Sequence, residues 1–311
     1  MLNTLKPIMG GLKTHLRSGS EVGTGGTNSA RYCYSVWLRH LVLLRRQGLD
    51  VRPAVVAELG PGDSIGTGLA ALLAGAQTYF ALDVVDHSRP GQNETIFEDL
   101  VRLFSARSPI PGEREFPKVH PRLSDYRFPS SVIAEAQLAS ALEPARVERL
   151  RRDVQNPRTA TSSVRAFAPW HGKNVIAPGS ADLVFSQAVL EYVEDLGQTY
   201  RALHTWLRPG GVMCHQVDFG AHDGMAQVWN GHWGYSDLTW RLIRGKRSFF
   251  LNRQPASAHL EAMRTAGFRV LHVERVHDSR GLSRNQLGGS YRYLPTEDLT
   301  TSKAHFIAVK A

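Results

Sequence analysis

The chain is poor in cysteine, with only Cys33 and Cys214 among 311 residues. That excludes a disulfide scaffold and a cysteine-rich zinc cluster, and it fits a reducing compartment. No apolar run approaches the roughly 20 residues that span a bilayer. The opening MLNTLKPIMGGLK also lacks the apolar core of a secretory signal. The expectation is a soluble, cytoplasmic protein without a membrane span. No run of Lys or Arg exceeds two, and aromatic and basic residues do not interleave as on an RNA-stacking sheet. The net charge of +9 therefore reads as a solvated arginine-rich surface or an anionic partner rather than as a nucleic-acid footprint. Hydrophobic and charged contents of 42% and 21% are those of an ordinary globular protein, and the length suits one large α/β domain with an insertion.

The stretch Val55 to Leu69, VVAELGPGDSIGTGL, organises what is present. Val55 to Ala57 predicts a short buried strand that ends on the carboxylate of Glu58. Gly60, Gly62 and Gly66 let the backbone turn tightly, and Thr67 to Leu73 predicts a helix with its free N–H groups aimed at that turn. Three readings compete. Gly60-Pro61-Gly62-Asp63-Ser64-Ile65-Gly66 is one residue too long for the dinucleotide fingerprint Gly-x-Gly-x-x-Gly. Gly62-Asp63-Ser64-Ile65-Gly66 satisfies Gly-x-Ser-x-Gly, so a Gly-Asp-Ser esterase with Ser64 as nucleophile is an alternative, although no downstream Asp-x-x-His pair occurs. The third reading is an acidic residue followed by Gly-x-Gly, at Glu58-Leu59-Gly60-Pro61-Gly62.

Segments further on favour the third. Tyr79 to Val85 is a second apolar strand carrying Asp83 where a doubly wound fold places an acid on a ribose diol. Ala181 to Ser186 is a buried strand leading into Gln187-Ala188-Val189-Leu190-Glu191-Tyr192. Leu207-Arg208-Pro209-Gly210-Gly211 is a turn before the strand Val212 to Val217. In this order the segments resemble the motifs of the class I S-adenosylmethionine (SAM) methyltransferases, over roughly Val55 to Ala311.

The resemblance implies a Rossmann-like, seven-stranded, mostly parallel sheet with helices on both faces. It also implies SAM as cofactor, held by Glu58, Gly60, Pro61, Gly62, Asp63, Asp83, Ser186 and Gln187. An acid that the family often has after its third strand is replaced by Ala168-Pro169-Trp170-His171, so either adenine is held differently, as against Trp170, or the third strand lies elsewhere. Where the family frequently has Glu-His, this chain has Glu191-Tyr192. A SAM-fold scaffold without catalysis is a further alternative, in which an inserted lid packs on a partner chain.

Residues 1–50 read as a flexible segment, Gly19 to Thr27, followed by a helix from Ser29 to Gln47 that Gly48 ends. Arg31, Tyr32 and Tyr34 on it are candidates to help close the site. The methyltransferase domain occupies 51–311, interrupted at about 87–160 by a stretch expected to form a helical lid. In that stretch Thr95 to Ser105 reads as a helix, a proline-broken loop follows, and two more helical pieces flank Pro144. The third strand is expected near Ser163 to Ala168, and the last two at Phe268 to Val276 and Ala304 to Lys310.

Methyl transfer from a sulfonium asks the protein for positioning and for a group that takes the acceptor's proton. The strand after Gly211 delivers His215-Gln216-Val217-Asp218-Phe219-Gly220-Ala221-His222-Asp223 to the carboxyl end of the sheet, where α/β sites lie. His222 is the candidate base, with Asp218 or Asp223 orienting it and His215 nearby. Mg²⁺ prefers several carboxylates, so no metal is expected. Trp229 and Tyr192 offer aromatic faces to an acceptor ring, and Asn252-Arg253 offers an amide and an anion-binding guanidinium. The segment from Asn252 to Val276 resembles bacterial methyltransferases of polysaccharide and lipopolysaccharide clusters. A small-molecule or glycan hydroxyl, possibly on an anionic acceptor, is the expected target; another small metabolite or RNA is the alternative.

Overall fold

The computed structural model describes residues 5–15, 26–49, 52–86, 91–157, 159, 161–170, 175–222, 227–247 and 249–311. A short helix α1 (Leu5–Lys13) precedes α2 (Ala30–Arg46). Cys33, Trp37, His40, Leu41 and Leu44 recur at helical spacing on the buried face of α2. Ser29 occupies the N-cap position without a side-chain cap bond, and Gly48 follows the helix at φ +74°.

Strand β1 (Val55–Leu59) runs two residues further than its apolar run suggested, taking Glu58 inside. It is followed by α3 (Gly66–Leu73), β2 (Thr78–Leu82) and α4 (Gln92–Ser105). Next come α5 (Glu135–Ala141), α6 (Pro144–Gln155), β3 (Val164–Phe167), β4 (Ala181–Gln187), α7 (Leu196–Trp206) and β5 (Leu207–Asp218). The chain ends with α8 (Asp237–Arg244), α9 (Ala256–Thr265), β6 (Phe268–His277) and β7 (Thr301–Lys310). The expected turn at Leu207 to Gly211 forms the irregular start of β5, where pairing with β4 shifts register between Ala181 and Leu183.

The seven strands lie in the order β3-β2-β1-β4-β5-β7-β6. β1 to β5 pair in parallel, and β7 inserts antiparallel between β5 and β6. One apolar layer gathers Trp37, Leu38, Leu69, Phe97, Leu100, Phe185 and Cys214 between α2, α3, α4 and the sheet. The other gathers Ala57, Tyr200, Leu203, Met263 and Phe306 under α7 and α9. The near-continuous apolar strands are those of a parallel sheet covered on both faces.

The expected helical lid takes another form. Pro144 sits at the first turn of α6, where its missing N–H costs nothing, and the Glu143 carboxylate accepts the Arg146 N–H at 3.0 Å. Arg146 donates to the carbonyls of Leu72 (2.9 Å) and Ala76 (2.7 Å), and Gln137 donates to that of Ala74 (2.8 Å). These contacts fix α5 and α6 to the C-terminal end of α3, the end opposite the glycine turn. The preceding loop reaches the site, as does the start of α4, where Asn93 Oδ1 accepts the Ile65 N–H at 3.2 Å. The fully buried Arg39 of α2 donates to the carbonyls of Pro111 (3.1 Å), Val119 (3.1 Å) and Pro121 (2.7 Å). That holds the loop across α2 and brings the His120 carbonyl to Gln187 Nε2 at 3.2 Å.

Candidate active site

Gly60 and Gly62 have φ of +64° and +74°, a conformation that side-chain-bearing residues rarely adopt. A Cβ at Gly60 would lie 2.5 Å from Val189 Cγ2, so the turn after β1 and the segment after β4 are in direct contact. The Gly60 N–H donates to the Leu82 carbonyl at 2.8 Å, which ties the turn to the end of β2. Glu58 lies beneath the turn rather than in it. It is 2% exposed and accepts the Tyr79 hydroxyl at 2.5 Å. Burial pushes its carboxyl up to about 8, against the lowering effect of the Tyr79 hydrogen bond. Its expected contact with the cofactor is thereby corrected, since Glu58 supports the turn from below.

Ser64 is 2% exposed, its hydroxyl donates to the Thr27 carbonyl, and its N–H donates to Thr27 Oγ1 at 3.1 Å. No imidazole bonds it among the described residues, so the esterase alternative fails. Thr27 closed the stretch expected to be flexible; in the structure it is buried and clamps the glycine turn.

Asp83 stands just past β2. Its Oδ1 accepts the Val84 N–H at 2.7 Å and its Oδ2 faces the Gly62 N–H at 3.4 Å. The Trp170 backbone N–H donates to the Asp83 carbonyl at 3.1 Å, while its half-buried indole meets Trp206 edge-on, ring centroids 5.3 Å apart. Pro61 is buried at the turn and Asp63 is half-buried. His171 and Asp223 lie outside the described residues.

At the ends of β4 and β5 the expected residues separate into two groups. Ser186 and His215 are opposite one another in register and wholly buried, with Ser186 Oγ 2.8 Å from His215 Nδ1. Burial pushes the His215 imidazole down to about 3. The two side chains are taken up with one another and sealed from solvent, unlike the exposed groups that a cofactor role for Ser186 and a catalytic role for His215 lead one to expect. Asn252 donates to the carbonyls of Leu190 (2.7 Å) and Val193 (2.8 Å), and its Oδ1 accepts the Gln254 N–H at 2.9 Å. Its amide braces the turn at Leu190 to Tyr192 instead of facing an acceptor.

Arg253, at φ +64° and 4% exposed, donates to the Tyr235 carbonyl at 2.6 Å and to Asp237 at 3.3 Å. It lies between the rings of Trp240 and Tyr291. It is walled into the core, so the anion-binding expectation is corrected as well.

The second group faces the mouth. Gln187 is half-buried, donates to the His120 carbonyl and to Gln216 Oε1 (3.1 Å), and among the described residues has no partner for its own Oε1. Tyr192 and His222 stack with ring centroids 6.3 Å apart, both half-buried. Asp218 is bound by Lys303 and by the Gly220 N–H at 2.8 Å. Trp229 donates to the Asp278 carbonyl at 3.0 Å and meets Trp233 edge-on.

Glu191, which the sequence suggests as a structural or supporting residue, is 3% exposed, with neither side-chain oxygen hydrogen-bonded among the described residues. Burial holds its carboxyl well above the usual range, with the Asp218 charge raising it further and Lys303 opposing. A cleft of about 790 Å³ opens between the start of α2 and α4, lined by Ala30, Arg31, Ile96, Asp99 and Leu103 among others. His40, Cys214 and His305 each place one potential metal-ligating atom within 4.8 Å of the others, but all three are buried under α2, sealed from any acceptor.

A family profile described as a methyltransferase domain matches residues 38–273, which include the glycine turn, Asp83 and both strand ends. The chain belongs to that family. It is a SAM-dependent methyltransferase. No curated protein matches it. Among solved structures, a SAM-dependent methyltransferase from Mesorhizobium loti is 17% identical, with 86% of this chain and 96% of that one covered and a TM-score of 0.43. One from Methanosarcina mazei is 11% identical, with 82% and 92% covered and a TM-score of 0.42. The phosphoethanolamine N-methyltransferase 2 of Haemonchus contortus, in complex with SAM, is 14% identical, with 91% and 57% covered and a TM-score of 0.42. These likenesses say nothing of the acceptor.

The methyltransferase's glycine turn fits its cofactor. The two positive-φ glycines leave the backbone bare at the turn, and the Asp83 carboxylate stands across it, where it would accept a diol. SAM, when bound, supplies a methyl group on a sulfonium leaving group. Thr27 braces the turn through Ser64, Glu58 lies beneath it, and Asp83 stands where it would meet a ribose diol.

Proposed function

We propose that this methyltransferase acts on a hydroxyl of a small molecule, a sugar or related glycan precursor, with His222 taking the acceptor's proton. The observation that carries this reading is the stacked pair Tyr192 and His222, half-buried where β4 and β5 end. A hydroxyl must lose its proton as the new C–O bond forms, and an imidazole at an accessible strand end is suited to receive it. Asp218 is committed to Lys303 and to the Gly220 N–H, so its role is to shape the loop that carries His222. Trp229 and Tyr192 supply apolar faces on which a sugar ring packs.

The test is SAM turnover across hydroxyl and amine acceptors, with His222→Gln alongside. The reading expects hydroxyl acceptors to be methylated and the variant to lose about 10²- to 10⁴-fold in kcat at unchanged cofactor affinity. Turnover confined to amines or RNA, or an unaffected variant, contradicts it.

A further inference from the structure

We propose that α1 and α8 together form a docking surface for an anionic lipid bilayer. Among the described residues seven large hydrophobic side chains are exposed, and five of them lie on these two helices: Leu5, Met9 and Leu12 on α1, Leu238 and Leu242 on α8. Leu5 is 74% exposed and Leu238 70%. Single exposed leucines are ordinary, but such a concentration marks an interaction site. On α1 the three occupy i, i+4 and i+7, and on α8 the two are four residues apart, so each helix presents an apolar stripe.

The helices are docked to one another. Gly11 of α1 lies so close to α8 that a Cβ there would come within 1.9 Å of the Leu242 carbonyl oxygen, and the Lys246 N–H donates to Thr14 Oγ1 at 2.8 Å. Behind them Ile8 packs on Tyr235, Trp240, Ile243 and Phe250, the same cluster that Tyr192 joins, so the surface backs onto the candidate site.

Charge selects the partner. Residues 5–15 contain no acidic side chain, and residues 237–247 contain one, Asp237. Lys6, Lys13, Arg241 and Lys246 are exposed around the leucines. An apolar stripe flanked by cations lies at an anionic bilayer surface, its leucines among the acyl chains and its cations at the headgroups. A protein groove would have to match the stripes of two separate helices at once, whereas a bilayer adapts to both. No described helix is long and apolar enough to cross a membrane, so the contact is at the surface. This inference does not rest on the acceptor's chemistry.

The experiment is co-sedimentation of the full chain with vesicles of phosphatidylcholine, with and without phosphatidylglycerol, at low and high salt. It is repeated with the Met9→Asp/Leu238→Asp and Lys6→Glu/Arg241→Glu variants, with SAM affinity as the folding control. The expected result is salt-sensitive binding to the phosphatidylglycerol vesicles that falls at least about tenfold in both variants while SAM affinity is unchanged. No binding to those vesicles, or equal binding by the variants, overturns the proposal. So does a wild-type dimer in light scattering that leaves vesicles untouched and becomes monomeric in the leucine variant, which would assign the face to a second copy of the chain.

Discussion

Tyr79 donates a 2.5 Å hydrogen bond to Glu58 Oε2 directly beneath the glycine turn, with both residues buried. Removing the hydroxyl in Tyr79→Phe leaves the Glu58 carboxyl short of a partner in the core. The expected cost is about 1–3 kcal/mol of stability, read from urea midpoints. The raised Glu58 pKa gives a sign to the pH dependence. A carboxyl bound as the protonated form in the folded state contributes stability that is complete below its unfolded value near 4.5 and is lost as pH rises through about 8. Glu58→Gln therefore gains on wild type as pH rises across that window, by on the order of 1 kcal/mol per pH unit. A difference that is flat with pH contradicts the buried, protonated Glu58.

Buried histidines act in the opposite direction. Burial pushes His215, His232 and His259 down to about 3, and His40 to about 4. Imidazoles kept neutral contribute stability that is complete above about 6.5 and lost as pH falls toward 3 to 4, at roughly 1.4 kcal/mol per pH unit for each group. A marked fall in Tm is expected between about pH 7.5 and about pH 5. The His259→Phe/Tyr200→Phe pair removes one such group together with its 3.0 Å partner and should flatten the fall. An unchanged slope would mean that His259 is not buried as the neutral form.

Gly60→Ala tests the turn itself. At φ +64° an alanine costs roughly 1–2 kcal/mol of backbone strain, and its methyl group meets Val189 at 2.5 Å. SAM affinity is expected to fall at least about tenfold, and Val189→Ala in the same chain to restore the steric part but not the strain. Unchanged affinity in Gly60→Ala would place the cofactor elsewhere.

What was legible in the sequence was the scaffold, because its signals are local. The apolar runs at Val55, Tyr79 and Ala181, the glycines at 60 and 62, and Asp83 all stand where a parallel sheet needs them. The roles of polar residues at the strand ends were less legible, because burial depends on what packs over them. Asn252 and Arg253 read as acceptor ligands until their partners, the Leu190, Val193 and Tyr235 carbonyls, were seen to consume them. His215 and His222 lie seven residues apart, yet one is sealed under α7 and α9 while the other lies half-buried in the loop beyond the strand. Arg39, spaced like any core-facing residue of α2, gave no sign that it anchors a loop more than 70 residues away.

The most direct test of the central claim is equilibrium binding of SAM and S-adenosylhomocysteine to the purified chain, with Asp83→Ala measured alongside. Binding is expected for both ligands, weakened in the variant by roughly 5- to 150-fold, the equivalent of about 1 to 3 kcal/mol for the lost ribose hydrogen bonds. No detectable binding by the wild-type chain would contradict the assignment of the glycine turn and Asp83 as the cofactor site of a methyltransferase.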